Sequence, residues 1–172
     1  DKVYENNNDK HPFTETDPLG GVDIYSVSKS SSELIARAYN KAHRAKHSLN
    51  IQTVRLGNVV GGGDWSINRL IPDLIHAARG DKIFCVRYMD ATRPFQHVSD
   101  VVKGISKIAL AAINDQIPSG DDWNLGPKES SFACVREVIE LFKKYYPGLE
   151  VINEKEKVKE DLNLSVNVNK YS

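Results

Sequence analysis

Two cysteines in 172 residues, Cys85 and Cys134, are too few and too far apart for a disulfide framework or a zinc site. They read as two small buried side chains in a reduced, cytoplasmic setting. No apolar run approaches the roughly 20 residues of a membrane span, and the chain opens on the polar Asp1-Lys2 rather than on a signal peptide. A surplus of either charge is missing too. Lys plus Arg and Asp plus Glu are 23 each, which argues against nucleic acid or an anionic membrane as a general partner. One phosphorylated ligand needs only a few local cations, and that balance permits it. Also lacking is a G-x-G-x-x-G fingerprint. Gly61-Gly62-Gly63 has the wrong spacing and precedes no phosphate-cradling helix start. With no initiator Met and an opening that reads as a strand end, the chain is expected to be a piece of a longer protein. A dinucleotide's phosphate loop would then lie upstream.

What is present is an ordinary globular composition, 40% hydrophobic and 27% charged. Residues 5–22 are rich in Asn, Asp, Pro and Gly and read as a loop. A helix is expected from Tyr25 to His47, with Leu34, Ile35, Ala38, Tyr39 and Ala42 on one apolar face. Ile51–Leu56 alternates as a strand. A helix over Leu70–Arg79 takes Pro72 in its first turn and closes at Gly80. Ile83–Val86 and Trp123–Leu125 read as short strands. Asp100–Ile113 reads as a helix capped by Ser99 or Asp100. A further helix over Phe132–Tyr146 turns Phe132, Val135, Val138, Ile139 and Phe142 inward. The charge run at 154–161 reads as a solvated face. Strands alternating with helices predict an α/β protein.

The chemistry-bearing pattern is Tyr25-x-x-x-Lys29. Positions i and i+4 share a helical face, so the ammonium can approach the phenol. A free phenol ionises near pH 10 and is a poor base at neutral pH. A cation held beside a phenol favours the phenolate, which is what general acid–base catalysis requires. The spacing alone is common on helices. Its weight comes from its neighbours.

Asp23-x-Tyr25-Ser26-x-Ser28-Lys29 resembles the active-site helix of the extended short-chain dehydrogenases. Arg55-Leu56-Gly57-Asn58-Val59-Val60-Gly61 is similar to the R-x-x-N-V-x-G segment of that superfamily. Arg69-Leu70-Ile71-Pro72, the stretch from Arg93 to Asp100, and Trp123-Asn124-Leu125-Gly126-Pro127 follow in the order of its sugar-nucleotide enzymes. Within the superfamily, Asp1-Lys2-Val3-Tyr4-Glu5, Gly61-Gly62-Gly63-Asp64-Trp65 and Arg93-Pro94-Phe95-Gln96-His97-Val98 resemble segments of the CDP-glucose 4,6-dehydratases, with Phe95 where they carry Trp. The dTDP-glucose dehydratases carry Asp-Glu at the Asp1-Lys2 position, and epimerases usually lack an acid there.

The resemblance implies the end of a Rossmann-type parallel sheet over 1–60. It implies a smaller α/β nucleotide-sugar domain, interleaved with the first, over 61–172. It also implies an NAD-dependent internal redox elimination. A hydride leaves sugar C4 for NAD, water is lost across C5–C6, and the hydride returns to C6. Tyr25 matches the base for the C4 hydroxyl, and Lys29 matches the residue that tunes it and holds the nicotinamide ribose. Asp1 matches the acid at C6. Lys2 stands at the position of the C5 base, a role open to lysine only where desolvation favours the neutral amine. The Ser or Thr that would precede Asp1 is absent, so the catalytic set is incomplete. Val59 matches a backbone contact to the nicotinamide. Asn58 and Asn124 match contacts to the nucleotide sugar, and Arg69, Leu70 and Ile71 match the stretch covering the nucleotide. Arg93 matches a bidentate phosphate grip.

His97 reads as structural, and His11, His43, His47 and His76 show no metal-ligand spacing, so no metal is expected. The implied product is a CDP-4-keto-6-deoxyglucose for deoxysugar and O-antigen polysaccharide, made by a homodimer or homotetramer paired through the tyrosine helix. A different base, a 4-epimerase, or a non-catalytic binding remnant are the alternatives. The chain alone is expected to be inactive without its upstream half.

Overall fold

The amide groups of a short strand need partners from elsewhere in the chain, and here they find them across long sequence separations. The structure, a computed structural model, describes residues 2–6, 11–47, 49–154 and 164–171. Asp1 and residues 155–161 of the charge run lie outside the described residues. The elements are α1 (Ile24–His47), β1 (Thr53–Leu56), β2 (Asn58–Val60), α2 (Leu70–Arg79), β3 (Ile83–Val86), β4 (Thr92–Arg93), β5 (Phe95–His97), α3 (Val98–Ile113), β6 (Asp122–Leu125), a 3₁₀ turn (Glu129–Ser131), β7 (Ala133–Cys134), α4 (Val135–Tyr145) and β8 (Glu150–Asn153). β1 pairs with β6, β2 with β5 and β3 with β8, all parallel, while β4 pairs antiparallel with β7. The architecture is the expected α/β one, and β1–β6 and β2–β5 join residues before 60 to residues well beyond it.

The β1–β6 ribbon positions the site. Its register sets Arg55 opposite Asn124 and Val54 opposite Trp123. Side chains alternate across a strand, so the ribbon has two unlike faces. Val54, Leu56, Trp123 and Leu125 pack with Ile108 of α3 in an apolar cluster. Arg55 and Asn124 point the other way, toward α1 and the loop before it. A second apolar cluster joins α2, β3 and α4 through Leu74, Phe84, Val86, Val135 and Ile139.

The expected bounds of α2 and β3 match the structure. Other expectations need correction. The cap of α3 is His97, whose ring nitrogen accepts from the Ser99 amide, so the helix starts two residues before Asp100. The last helix starts at Val135, not Phe132, because 129–131 form the 3₁₀ turn and 133–134 pair with β4. Cys85 is exposed rather than buried, since it sits on the outer side of β3, and Cys134 is half-buried at the start of α4. The apolar face expected on α1 is present, and it lies on the outside of the fold. Leu34, Ile35 and Tyr39 are exposed, while Ser26, Ser30, Glu33 and Asn40 are buried. No helix among the described residues is long and apolar enough to cross a membrane.

Leu74 has no exposed surface, so Leu74→Ala is expected to destabilise the fold by about 2–5 kcal/mol. Ile67, on the outside at 78% exposure, should change stability by no more than about 0.5 kcal/mol when cut to Ala. Urea titration of both variants checks the contrast.

Candidate active site

A helix leaves its first amides without intrahelical partners, and a carboxylate just before it satisfies them. Asp23 does this for α1. Its carboxylate accepts from the Ser26 amide at 2.9 Å and from the Ser26 hydroxyl at 2.7 Å. These bonds, with a smaller push from the Lys2 ammonium, hold the Asp23 carboxyl below its usual range. The same cap aims the first turn, from which Tyr25 projects at 57% exposure. The Lys29 ammonium lies 5.4 Å from the centroid of the Tyr25 ring. It sits over the ring face. Tyr25 and Lys29 thus meet in the first two turns of α1, and the Lys2 charge acts on Asp23 just before them.

Beneath that end lies a polar core that the sequence had not announced. Arg55 is 2% exposed. Its Nε donates to both oxygens of Glu33 at 2.8 and 3.0 Å, and Nη2 donates to Glu33 at 2.6 Å. Nη1 donates to the Tyr4 hydroxyl at 2.7 Å and to the Glu15 carbonyl at 3.0 Å. Asp122 stands 3.5 Å from Nη2 and also binds Arg37 at 2.5 Å. Burial on its own would lower the Arg55 pKa, but the bonds to Glu33 and Tyr4 outweigh it and push the pKa further up. Tyr4 in turn donates to Asn124 at 2.6 Å. A polar stripe at Ser26, Ser30, Glu33, Arg37 and Asn40 was the one available signal. It is the helical face opposite the apolar one.

A second group of expected residues gathers around β2 and β4. Gly57 joins β1 to β2 so closely against Pro94 that a Cβ there would sit 2.4 Å from its carbonyl oxygen. The Asn58 amide donates to that carbonyl at 3.0 Å, which brings Asn58 beside the Arg93–Pro94 step. Val59 is paired with Gln96. Arg93 is buried and donates to the Thr92 carbonyl at 2.9 Å. Arg69 is exposed at the start of α2, and Leu70 and Ile71 pack on the cluster that holds Ala91, two residues before Arg93. Asn124 belongs to neither group. It is fully buried, and its side-chain amide donates to the Phe13 and Asn167 carbonyls while its oxygen accepts from Tyr4. A cavity of about 500 Å³ opens between α3 and Tyr171, lined in part by Gln96, Lys103 and Lys107, and none of the expected site residues lines it.

This α/β frame and its Tyr–Lys helix define an extended short-chain dehydrogenase type. Residues 1–126 match the NAD dependent epimerase/dehydratase family, and the chain belongs to that family. Over 145 residues it is 33% identical to the CDP-glucose 4,6-dehydratase of Salmonella typhimurium, covering 81% of this chain and 40% of that protein. It resembles the solved structure of TunA, an NAD-dependent NDP-hexosamine 5,6-dehydratase, with a TM-score of 0.80 and 25% identity over 96% of this chain and 51% of that one. MoeE5, solved with UDP-glucose and NAD, shares the fold with a TM-score of 0.82 and 22% identity over 99% of this chain and 54% of that one. The chain thus spans about half the length, or less, of the proteins it matches.

Burial raises the Tyr4 phenol to about 12 from an ordinary 10.0, against the opposing pull of Arg55. A raised folded-state pKa favours the neutral form. That stability is complete below pH 10 and is lost as pH rises through about 12. Phenolate absorbance of the seven tyrosines should show a late step near pH 12 that disappears in Tyr4→Phe.

Proposed function

We propose that this chain is the C-terminal portion of an NAD-dependent nucleotide-sugar 4,6-dehydratase that converts CDP-glucose to CDP-4-keto-6-deoxyglucose for deoxysugar polysaccharide synthesis. The observation that carries this reading is the exposed Tyr25–Lys29 pair at the start of α1, with the Lys29 ammonium 5.4 Å from the Tyr25 ring. The Salmonella relative supports the choice of CDP-glucose. The proposed division places 1–60 with the NAD-binding domain and most of 61–172 with the nucleotide-sugar domain. Full-length protein would act as a homodimer or homotetramer.

The residues present fit the nicotinamide-ribose end of NAD. The Tyr25 side chain is open to solvent, and the Lys29 ammonium makes no ion pair with a described residue, so its donors are available to ribose hydroxyls. Val59 supplies a backbone contact to the nicotinamide. NAD bound there would supply the hydride chemistry at C4 and C6 of the sugar. Tyr25 removes the C4 hydroxyl proton. Lys2 takes the proton from C5 while Asp1 protonates the departing C6 hydroxyl, so the C6–O bond breaks and water leaves. Arg93 grips the diphosphate, Asn58 and Asn124 meet the nucleotide sugar, and Arg69, Leu70 and Ile71 cover the nucleotide. Asn124 can take that part only by exchanging one of its internal bonds.

Incubating the full-length protein with NAD and CDP-glucose should yield a 4-keto-6-deoxy sugar. A 4-epimer as the product would sink the proposal. Tyr25→Phe is expected to slow turnover by about 100- to 10,000-fold, the span of general acid–base catalysis, with CDP-sugar affinity unchanged by calorimetry. Arg93→Ala should weaken CDP binding by about ten- to a hundredfold, the worth of a charged hydrogen bond. Unchanged affinity would remove Arg93 from the site.

A further inference from the structure

Lys2 is useful to the chemistry proposed above only if its segment keeps a constant position relative to Tyr25. Residues 2–5 belong to no helix or named strand, so that position must be imposed from outside. Two backbone bonds hold the segment to the loop before α1. The Gly20 amide donates to the Val3 carbonyl at 2.9 Å and the Glu5 amide to the Pro18 carbonyl at 3.0 Å. Neither reaches α1. Tyr4 does reach it. Its side chain is 2% exposed, and its ring stacks on Phe13 at 4.7 Å and 7°. Its hydroxyl accepts from Arg55, and Arg55 grips Glu33 through two nitrogens. Glu33 lies one helical turn beyond Lys29 and two turns beyond Tyr25, on the buried side of the same helix. Loop, strand and helix therefore meet on a single guanidinium. Its planar fork sets direction as well as distance, which an ammonium would not do.

We infer that the Tyr4–Arg55–Glu33 chain is a positioning device that holds the Lys2 segment in register with Tyr25 and Lys29. The inference rests on the reaction proposed above for its consequence in catalysis, but not for the coupling itself. Lys2 is two residues from Tyr4, within about 7 Å of chain, so a loosened Tyr4 is felt at Lys2. The Lys2 charge acting on Asp23 is a weaker tie at the other end of the segment. A shift of about 1 Å at a reacting group can lower a rate about a hundredfold.

The test uses the full-length protein with Tyr4→Phe, which keeps the ring stack, with Glu33→Gln, and with Leu74→Ala as a remote core control. Amide hydrogen exchange of residues 2–5 should rise about tenfold in both network variants, because a local opening has become easier, and should not rise in the control. An unchanged exchange rate at 2–5 in Glu33→Gln overturns the device whatever the enzyme does. In steady state, Tyr4→Phe should lower kcat by about ten- to a hundredfold with KM held within about twofold. Release of the C5 proton to solvent should slow more than C4 oxidation. Equal slowing of both steps, or a kcat loss matched by Leu74→Ala, assigns Tyr4 to stability alone and overturns the positioning role. Wild-type protein that turns over no nucleotide hexose would defeat the proposed reaction, while the exchange result would still decide the coupling.

Discussion

A guanidinium taken out of water must be met by a partner for nearly every N–H, and Arg55 imposes that demand on everything around it. Glu33 comes from α1, Tyr4 and the Glu15 carbonyl from the N-terminal loop, and Asp122 from β6. Exposed pairs such as Arg136–Asp90 contribute about 0.2–1 kcal/mol. Removing one partner from a buried pair costs about 3–5 kcal/mol, because the other charge is left stranded. That difference decides how α1 docks. The helix lays its polar stripe on the ribbon and leaves Leu34, Ile35 and Tyr39 outside, the reverse of what hydrophobic burial alone would select.

The two faces of β1–β6 then do different work. The apolar face holds α3 through Ile108, Trp123 and Leu125. The polar face holds the helix that carries Tyr25 and Lys29. Asp23 sets the first turn of that helix, Ser26 and Ser30 face inward, and Tyr25 and Lys29 are left facing solvent. Tyr25 and Lys29 stay exposed because they lie in the first two turns, before the stretch that Glu33 ties to Arg55. Around β2 and β4, a single glycine makes a comparable choice, since only a residue without a Cβ lets Asn58 come against Pro94.

Much of this was legible in the residues themselves. The i, i+4 spacing of Tyr25 and Lys29, the bounds of α2 from Pro72 and Gly80, and the apolar β3 all rest on local chemistry that operates within a few positions. The order of motifs pointed to the family before any geometry was known. Strands of two or three residues, such as β4, β5 and β7, carry no readable period, and they exist only because a partner strand completes their bonds. Asn124 stands in a motif, but only the fold shows that its bonds run to Tyr4, Phe13 and Asn167.

By itself, then, the sequence determined which residue types recur at helical spacing, where turns interrupt them, and that Tyr25 and Lys29 stand one turn apart on a helix. Only the tertiary structure decided which face of α1 is buried and that Tyr4, 51 residues from Arg55 and 120 from Asn124, joins them. The physical reason is that local propensity acts through neighbouring backbone, whereas a buried charge selects its partners in space, from any part of the chain that can satisfy it.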